Sequence, residues 1–128
     1  MIAQRISTLA EVAQLAAQER EWSFPLRDFL DGFQAEPAFE KLTEEPQKIS
    51  HLLDDGGLAD AYLAAVCDHL CRRHHFPRPS WVDEPGRILK TPHFAAKTHA
   101  LRMILLQESP AAFRERNIFV SANALSRC

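Results

Sequence analysis

The chain is poor in cysteine, with three in 128 residues, and it contains no long apolar run. An odd number of cysteines does not build a closed disulfide framework, and Cys67 and Cys71 stand one helical turn apart. This usage fits free thiols in a reducing cytosol better than a secreted protein. The N-terminus carries Arg5, Glu11 and Glu19 and has no apolar core, so the sequence predicts neither a signal peptide nor a membrane span. We therefore expect a soluble, cytoplasmic protein.

The sequence also lacks a strong charge imbalance and any familiar catalytic spacing. A formal net charge of -2 argues against a surface that binds nucleic acid everywhere, although a local basic patch stays compatible with it. No Ser or Cys stands in a recognisable nucleophile setting, and there is no internal repeat. The composition, 46% hydrophobic and 25% charged, is typical of a globular protein. We expect one domain over residues 1–128.

Apolar spacing in the first half predicts helices. The first runs through residues 9–19 and begins either near Ile2, by periodicity, or at Thr8, where Thr8 and Glu11 match a capping box. A second helix follows Pro25, a short third helix follows Pro37, and one or two turns surround residues 49–53. The expected inward residues of the second and third helices are Leu26, Phe29, Leu30, Phe33, Phe39 and Leu42.

The longest predicted helix lies in the middle of the chain. It follows the loop at residues 54–57 and runs from Leu58 to about Arg73. One broad face of this helix contains Leu58, Tyr62, Ala65, Val66, His69 and Leu70. We expect it to be the central helix of the domain.

Prolines interrupt the second half. Residues 76–81 hold two prolines and cannot form regular helix, whereas a helix is predicted from Phe94 or Lys97 to Glu108. Its apolar residues Leu101, Ile104 and Leu105 are expected in the core with Phe113, under Trp81. Ser109 and Pro110 then signal a new helix. The predicted fold is all-α, a compact single-domain helical bundle with an irregular proline-rich crossover.

Two histidine-containing groups could carry chemistry. Cys67, Cys71 and His74 share one side of the central helix and are weak candidates for zinc ligands, which His93, His99 or Cys128 would complete. The alternative is that the cysteines pack as small apolar residues, and we expect no metal and no cofactor. His69 lies on the apolar face with Tyr62. No nucleophile accompanies it, so we expect a buried, hydrogen-bonded histidine.

A basic cluster marks the end of the central helix. Arg72, Arg73, His74, His75 and Arg78 suit the negative end of the helix dipole, or they could bind phosphates together with Arg114 and Arg116. The first two helices are not joined by the short turn of a helix-turn-helix. DNA binding is therefore possible without an identifiable groove-reading element.

The C-terminal segment is the candidate for partner binding. Arg114 and Arg116 are two residues apart, so they point in different directions on a helix and at least one faces outward. Ile118, Phe119 and Val120 form a β-prone triplet that could pair with another chain, or could close the core. We expect the partner-binding residues to be Trp81, Arg114, Arg116, Asn117, Ile118 and Phe119, with Arg116 as an outward anchor.

Residues 58–127 carry a recognisable combination of short motifs. A helix containing Asp68-His69-Leu70 precedes Phe76-Pro77-Arg78-Pro79-Ser80-Trp81, and a closing block holds Ser109-Pro110, Phe113, Arg116 and Ile118-Phe119-Val120. This combination resembles a group of small bacterial helical proteins with no assigned reaction, often encoded beside toxin–antitoxin-type genes. The resemblance implies no catalytic residue. It favours a protein that acts by binding.

We therefore expect a non-enzymatic protein-binding module. Its most specific form is an antitoxin or accessory protein that neutralises or regulates a bacterial partner toxin, the product of a neighbouring gene, by direct binding. The alternative is a DNA-binding or transcription-associated regulator, and a metal-dependent enzyme is third.

Overall fold

The computed structural model describes residues 6–122 and Leu125. In these residues the fold is all-α apart from two short strands, as the sequence predicts. The helices are α1 (Leu9–Glu19), α2 (Ser23–Ala35), α3 (Glu40–Thr43), α4 (Ser50–Leu53), α5 (Leu58–His74), α6 (His99–Glu108) and α7 (Ala111–Arg114). The strands are β1 (His93–Phe94) and β2 (Ile118–Phe119), and 3-10 turns occupy Ser80–Asp83 and Pro85–Arg87.

The capping box sets the start of α1. The Thr8 hydroxyl accepts a hydrogen bond from the Glu11 backbone N–H at 3.2 Å, and the Glu11 carboxylate accepts one from the Thr8 N–H at 2.9 Å. Together they satisfy donors that a helix start leaves free. The start near Ile2 lies outside the described residues.

Helix α5 is the centre of the domain, as expected. Eleven of the seventeen residues from Leu58 to His74 are apolar, and α5 packs against α4, α7 and both 3-10 turns. Rings from α2 and the residue before it cover its other side: the Trp22 ring lies 4.6 Å from Tyr62 and the Phe33 ring 5.3 Å from His74. Most of the buried apolar residues form one cluster, which includes the buried apolar residues of α5.

The β-prone C-terminal segment pairs with another strand of the same chain. Strand β2 pairs in parallel with β1, with Ile118 opposite His93 and Phe119 opposite Phe94. The Phe94 and Phe119 rings stack with centroids 4.7 Å apart. Because parallel strands need a long crossover, α6 and α7 lie in the connection between β1 and β2.

Two expectations for the second half are wrong. Ser109 does not begin a helix but ends α6, and its hydroxyl donates to the Leu105 carbonyl at 2.6 Å; Pro110 precedes the short helix α7. Leu105 and Phe113 are buried, but the side chains of Leu101 and Ile104 are half exposed. Apolar spacing identified the helix, yet it does not say whether the same chain covers each apolar side.

No helix among the described residues combines the length and the apolar composition that crossing a bilayer requires.

Candidate protein-binding surface

The C-terminal residues predicted to bind a partner are placed mostly inside the molecule. Arg116 is 3% exposed and Trp81 is 6% exposed, and Ile118 and Phe119 are also buried. Asn117 is half-buried, and its amide donates to the Leu89 carbonyl at 2.8 Å. Among these six residues only Arg114 is exposed. The expectation that Arg116 points outward is wrong, because its guanidinium forms an ion pair with a buried carboxylate.

That carboxylate belongs to Asp68, which is fully buried in the middle of α5. Its oxygens accept hydrogen bonds from Arg72 at 2.9 Å, from Arg78 at 2.7 Å and from Arg116 at 2.9 Å. Burial alone would raise the pKa of Asp68, but these guanidinium hydrogen bonds outweigh it and hold that pKa below its usual value. Asp68 therefore joins the central helix, the proline-rich segment and the C-terminal segment.

The same contacts neutralise much of the predicted basic cluster. Arg72 also pairs with Glu115 at 2.8 Å, and Arg78 pairs with Asp83 at 2.7 Å. These guanidinium groups are therefore held by carboxylates of the chain itself. A phosphate would have to compete with those carboxylates, so this geometry does not favour a DNA-binding surface here.

A second buried arginine, Arg87, was not singled out by the sequence analysis. Its guanidinium donates to the Asp60 carbonyl at 3.2 Å and to the Glu45 carboxylate at 3.0 Å, and also to the Pro46 carbonyl. It lies 5.0 Å from the centre of the Trp81 ring. Trp81 is thus a core residue that packs against a buried cation.

The candidate zinc ligands Cys67, Cys71 and His74 lie in or against the core. Cys67 and Cys71 are fully buried free thiols, and the His74 ring stacks on Phe76. The hydrogen bond with Cys71, together with burial, raises the pKa of the Cys67 thiol, so it remains protonated. Over residues 6–122 and Leu125 no group of three or more His, Cys, Asp or Glu side chains is arranged to hold a metal ion. Cys128 lies outside these residues.

His69 is half-buried and packs against the core. Its ring lies 6.1 Å from Phe113, and burial, followed by the charge of Arg73, lowers its pKa. A neutral, half-buried imidazole against a phenyl ring is a packing residue.

A cavity of about 580 Å³ lies beside the start of α5, lined by Gly56, Gly57, Ile88, Leu89 and Lys90 among others. The helix start does not offer free donors to an anion. The Asp55 carboxylate accepts hydrogen bonds from the N–H groups of Gly57 at 3.0 Å and Ala59 at 2.9 Å. The Ser50 hydroxyl accepts the N–H of Asp60 at 3.0 Å. The cavity therefore lacks the usual phosphate-binding arrangement of a helix N-terminus.

Helix α6 presents apolar side chains to solvent. Of its ten residues only Leu105 is buried, whereas Leu101, Met103, Ile104 and Leu106 are 51%, 45%, 49% and 39% exposed. At about 100° per residue these four residues fall on two opposite sides of the helix. Met103 and Leu106 form one side, the Met-Leu face, and Leu101 and Ile104 form the other, the Leu-Ile face.

The surroundings of α6 are basic. Between Ile88 and Gln107 the sequence contains no Asp or Glu, although it contains Lys90, Lys97 and Arg102. Arg102 is held in place, since its Nε donates to the Ala96 carbonyl at 3.1 Å and its guanidinium lies 5.5 Å from the centre of the Phe94 ring. Within the described part of the chain, no carboxylate pairs with any of these three cations.

Comparisons with protein-family models, with curated proteins and with solved structures find no match. The candidate surface is therefore defined by geometry alone, and it is α6 rather than the C-terminal segment. The signal in the sequence was the near-complete apolar character of residues 100–106, because a helix that is apolar on every side is normally covered on every side.

Proposed function

We propose that this chain is a non-enzymatic protein-binding module that docks a partner protein on the Met-Leu face of α6. The observation that carries the proposal is the exposure of Met103 and Leu106 on a helix whose only buried residue is Leu105. Single exposed apolar side chains are ordinary, but a contiguous group of large ones marks an interaction surface. The flexible Met103 side chain suits such a surface because it adapts to its partner.

Charge limits the kind of partner. Arg102 flanks the Met-Leu face, and no carboxylate between Ile88 and Gln107 balances its charge. A matching protein surface would offer an apolar groove for Met103 and Leu106 and acidic side chains at its rim, which is the helix-in-groove mode of recognition. Arg102 is preorganised by Phe94 and Ala96, so ordering it on binding costs little entropy.

The resemblance described from the sequence supplies a specific form of this proposal. In that form the chain is a cytoplasmic antitoxin, and its partner is a toxin encoded by a neighbouring gene whose active surface it covers. The test is to co-express the tagged chain with the product of the adjacent gene, and to measure both co-purification and relief of growth arrest.

The decisive comparison uses substitutions on exposed positions. Met103→Glu with Leu106→Glu should weaken partner binding by at least about 30-fold in calorimetry, the loss expected when a central apolar contact is removed. Leu52→Glu is the matched control, because Leu52 is as exposed as Leu106 but lies on α4. Undiminished affinity in the double variant would contradict the proposal. A salt-dependent shift of duplex DNA by the wild type would favour the DNA-binding alternative, and stoichiometric zinc would favour the enzyme.

A further inference from the structure

The cavity beside the start of α5 lies apart from α6. It is lined by residues 55–58 from one segment and by residues 85–86 and 88–93 from another. Its volume of about 580 Å³ is within the usual size range of small-molecule binding sites. No residue of α6 lines it, so a molecule bound there would leave the Met-Leu face open.

Much of the cavity wall is apolar. Leu58 and Leu89 line it together with Pro85 and Pro92. Ile88 also lines it, and 43% of its surface is exposed. A large apolar side chain exposed in a concave site gains hydrophobic stabilisation when a ligand covers it. The wall therefore suits a ligand with a hydrocarbon or aromatic body.

Three polar side chains of the same cavity have no protein partner. In the described part of the chain, neither the Lys90 ammonium, nor the Thr91 hydroxyl, nor the His93 imidazole makes a hydrogen bond or an ion pair. Lys90 and Thr91 are exposed and His93 is half-buried. A few polar groups beside apolar walls are the usual means by which a binding site orients its ligand.

The cavity carries a positive charge that its own carboxylate does not neutralise. Asp55 also lines the cavity, but its two oxygens accept the N–H groups of Gly57 at 3.0 Å and Ala59 at 2.9 Å. Asp55 therefore caps the start of α5 and forms no ion pair with Lys90. One free ammonium favours a ligand with a single negative charge, and the Asp55 carboxylate disfavours the second charge of a phosphate.

We propose that this cavity binds a small monocarboxylic acid with an apolar body. The carboxylate of the ligand pairs with the Lys90 ammonium, and the body lies against Ile88 and Leu89. The ion pair is stronger beside an apolar wall than in open water, because the local dielectric constant is lower. This inference does not depend on the proposed function, since it uses no residue of α6.

The four glycines of the chain report on such binding directly. Gly56, Gly57 and Gly86 line the cavity, whereas Gly32 lies in α2. In a protein isotope-labelled at glycine, hexanoate should shift the amide resonances of the three cavity glycines and leave that of Gly32 in place. Gly32→Ala identifies the control resonance. Half-saturation is expected at about 1 mM or below, an ordinary affinity for a ligand of this size.

Two outcomes of this titration overturn the inference. One is the absence of any shift up to about 20 mM hexanoate, since a site of the expected affinity would then be nearly saturated. The other is an equal shift of all four glycine resonances, which is the result of a change in solvent rather than of binding in the cavity.

Lysine substitutions test the charge. Lys90→Gln should weaken hexanoate binding about tenfold, because the ligand loses a charge-assisted hydrogen bond. Lys97→Gln is the matched control, because Lys97 is also exposed and without a carboxylate partner in the described residues but does not line the cavity. Equal losses in the two variants would contradict the role of Lys90.

Two further probes separate the parts of the ligand. Hexan-1-ol has the same chain without the charge and should bind at least about tenfold more weakly than hexanoate. Inorganic phosphate has charge without an apolar body and should leave the three cavity resonances in place. Equal affinity for the alcohol, or binding of phosphate as tight as that of hexanoate, would overturn the assignment of a monocarboxylic acid.

Discussion

The carboxylate of Asp68 and the guanidinium of Arg116 form a buried ion pair, with 2.9 Å between Oδ2 and Nη1. Arg116 also donates to the carbonyls of Ala112 at 2.8 Å and Val82 at 2.7 Å. The pair thus connects α5 to the C-terminal segment and to the 3-10 turn at Ser80–Asp83. Such pairs are costly to break, because removing either partner leaves the other charged, buried and unpaired.

Asp68→Asn should destabilise the protein by about 3–5 kcal/mol, since three arginines would lose their shared carboxylate. The free energy of unfolding in urea measures the loss. Arg114→Ala is the control, because Arg114 is exposed and a surface change should stay within about 0.5 kcal/mol. A stability for Asp68→Asn equal to that of the control would show that the network contributes nothing to folding.

The network also predicts how stability changes with pH. The pKa of Asp68 is lowered in the folded protein, so its contribution is complete above the unfolded-state pKa of about 3.9 and is lost as pH falls through the lower folded value. The difference in unfolding free energy between wild type and Asp68→Asn should therefore be constant from about pH 7 to 5 and shrink below about pH 4. A difference that does not shrink in acid would contradict the role of the Asp68 charge.

Trp81 should be needed for stability rather than for binding. Its buried ring contacts the Arg87 guanidinium, and Trp81→Ala should cost about 3–5 kcal/mol by leaving a cavity. Trp81→Phe should cost much less, because it keeps an aromatic ring and removes an indole N–H that has no hydrogen-bond partner in the described residues. Urea midpoints of the two variants separate the effects. An unchanged midpoint for Trp81→Ala would place the ring outside the core.

Local signals predicted the helices well. The capping box of Thr8 and Glu11 identified the start of α1, and apolar periodicity identified α5 almost to its last residue. These features depend on residues a few positions apart, so the sequence contains them directly. The two-residue parallel pairing of β1 with β2 depends on residues 25 positions apart and was missed.

The buried charges show what sequence patterns do not determine. The two-residue separation of Arg114 and Arg116 correctly predicts that they diverge, but it does not say which one turns inward. The informative residue was Asp68, an acid among the apolar residues of α5, since a buried carboxylate requires a cation. Identifying that cation as Arg116, 48 residues away, required the fold.

The exposure of α6 could not be predicted for a related reason. The spacing of Leu101, Ile104 and Leu105 is the same whether the chain covers them or another molecule does. Only the structure shows that Leu105 alone is covered. The sequence therefore identified the helix, but the expectation that Leu101 and Ile104 lie in the core with Leu105 was wrong.

Truncation after Asn117 gives the clearest test of the C-terminal segment. If the C-terminal segment served only to bind a partner, the truncated chain would stay folded and lose its partner, whereas the structure predicts that it loses its fold. The truncation removes β2 and the buried side chains of Ile118, Phe119, Val120 and Leu125. At about 1.5–3 kcal/mol for each large apolar side chain, the four together lose about 6–12 kcal/mol, which is comparable to the whole stability of an ordinary domain.

The truncation also removes Val120, whose backbone N–H donates to the Ser109 hydroxyl at 2.9 Å. Helix α6 would then lose its fixed C-terminal end. We expect helix content by circular dichroism to fall sharply and cooperative unfolding to disappear. Full-length Arg114→Ala should keep its helix content and its cooperative unfolding, because Arg114 is exposed on the same segment. If the truncated chain unfolds cooperatively at the wild-type urea midpoint, the C-terminal segment is not part of the core. The prediction that this segment binds a partner would then be favoured again.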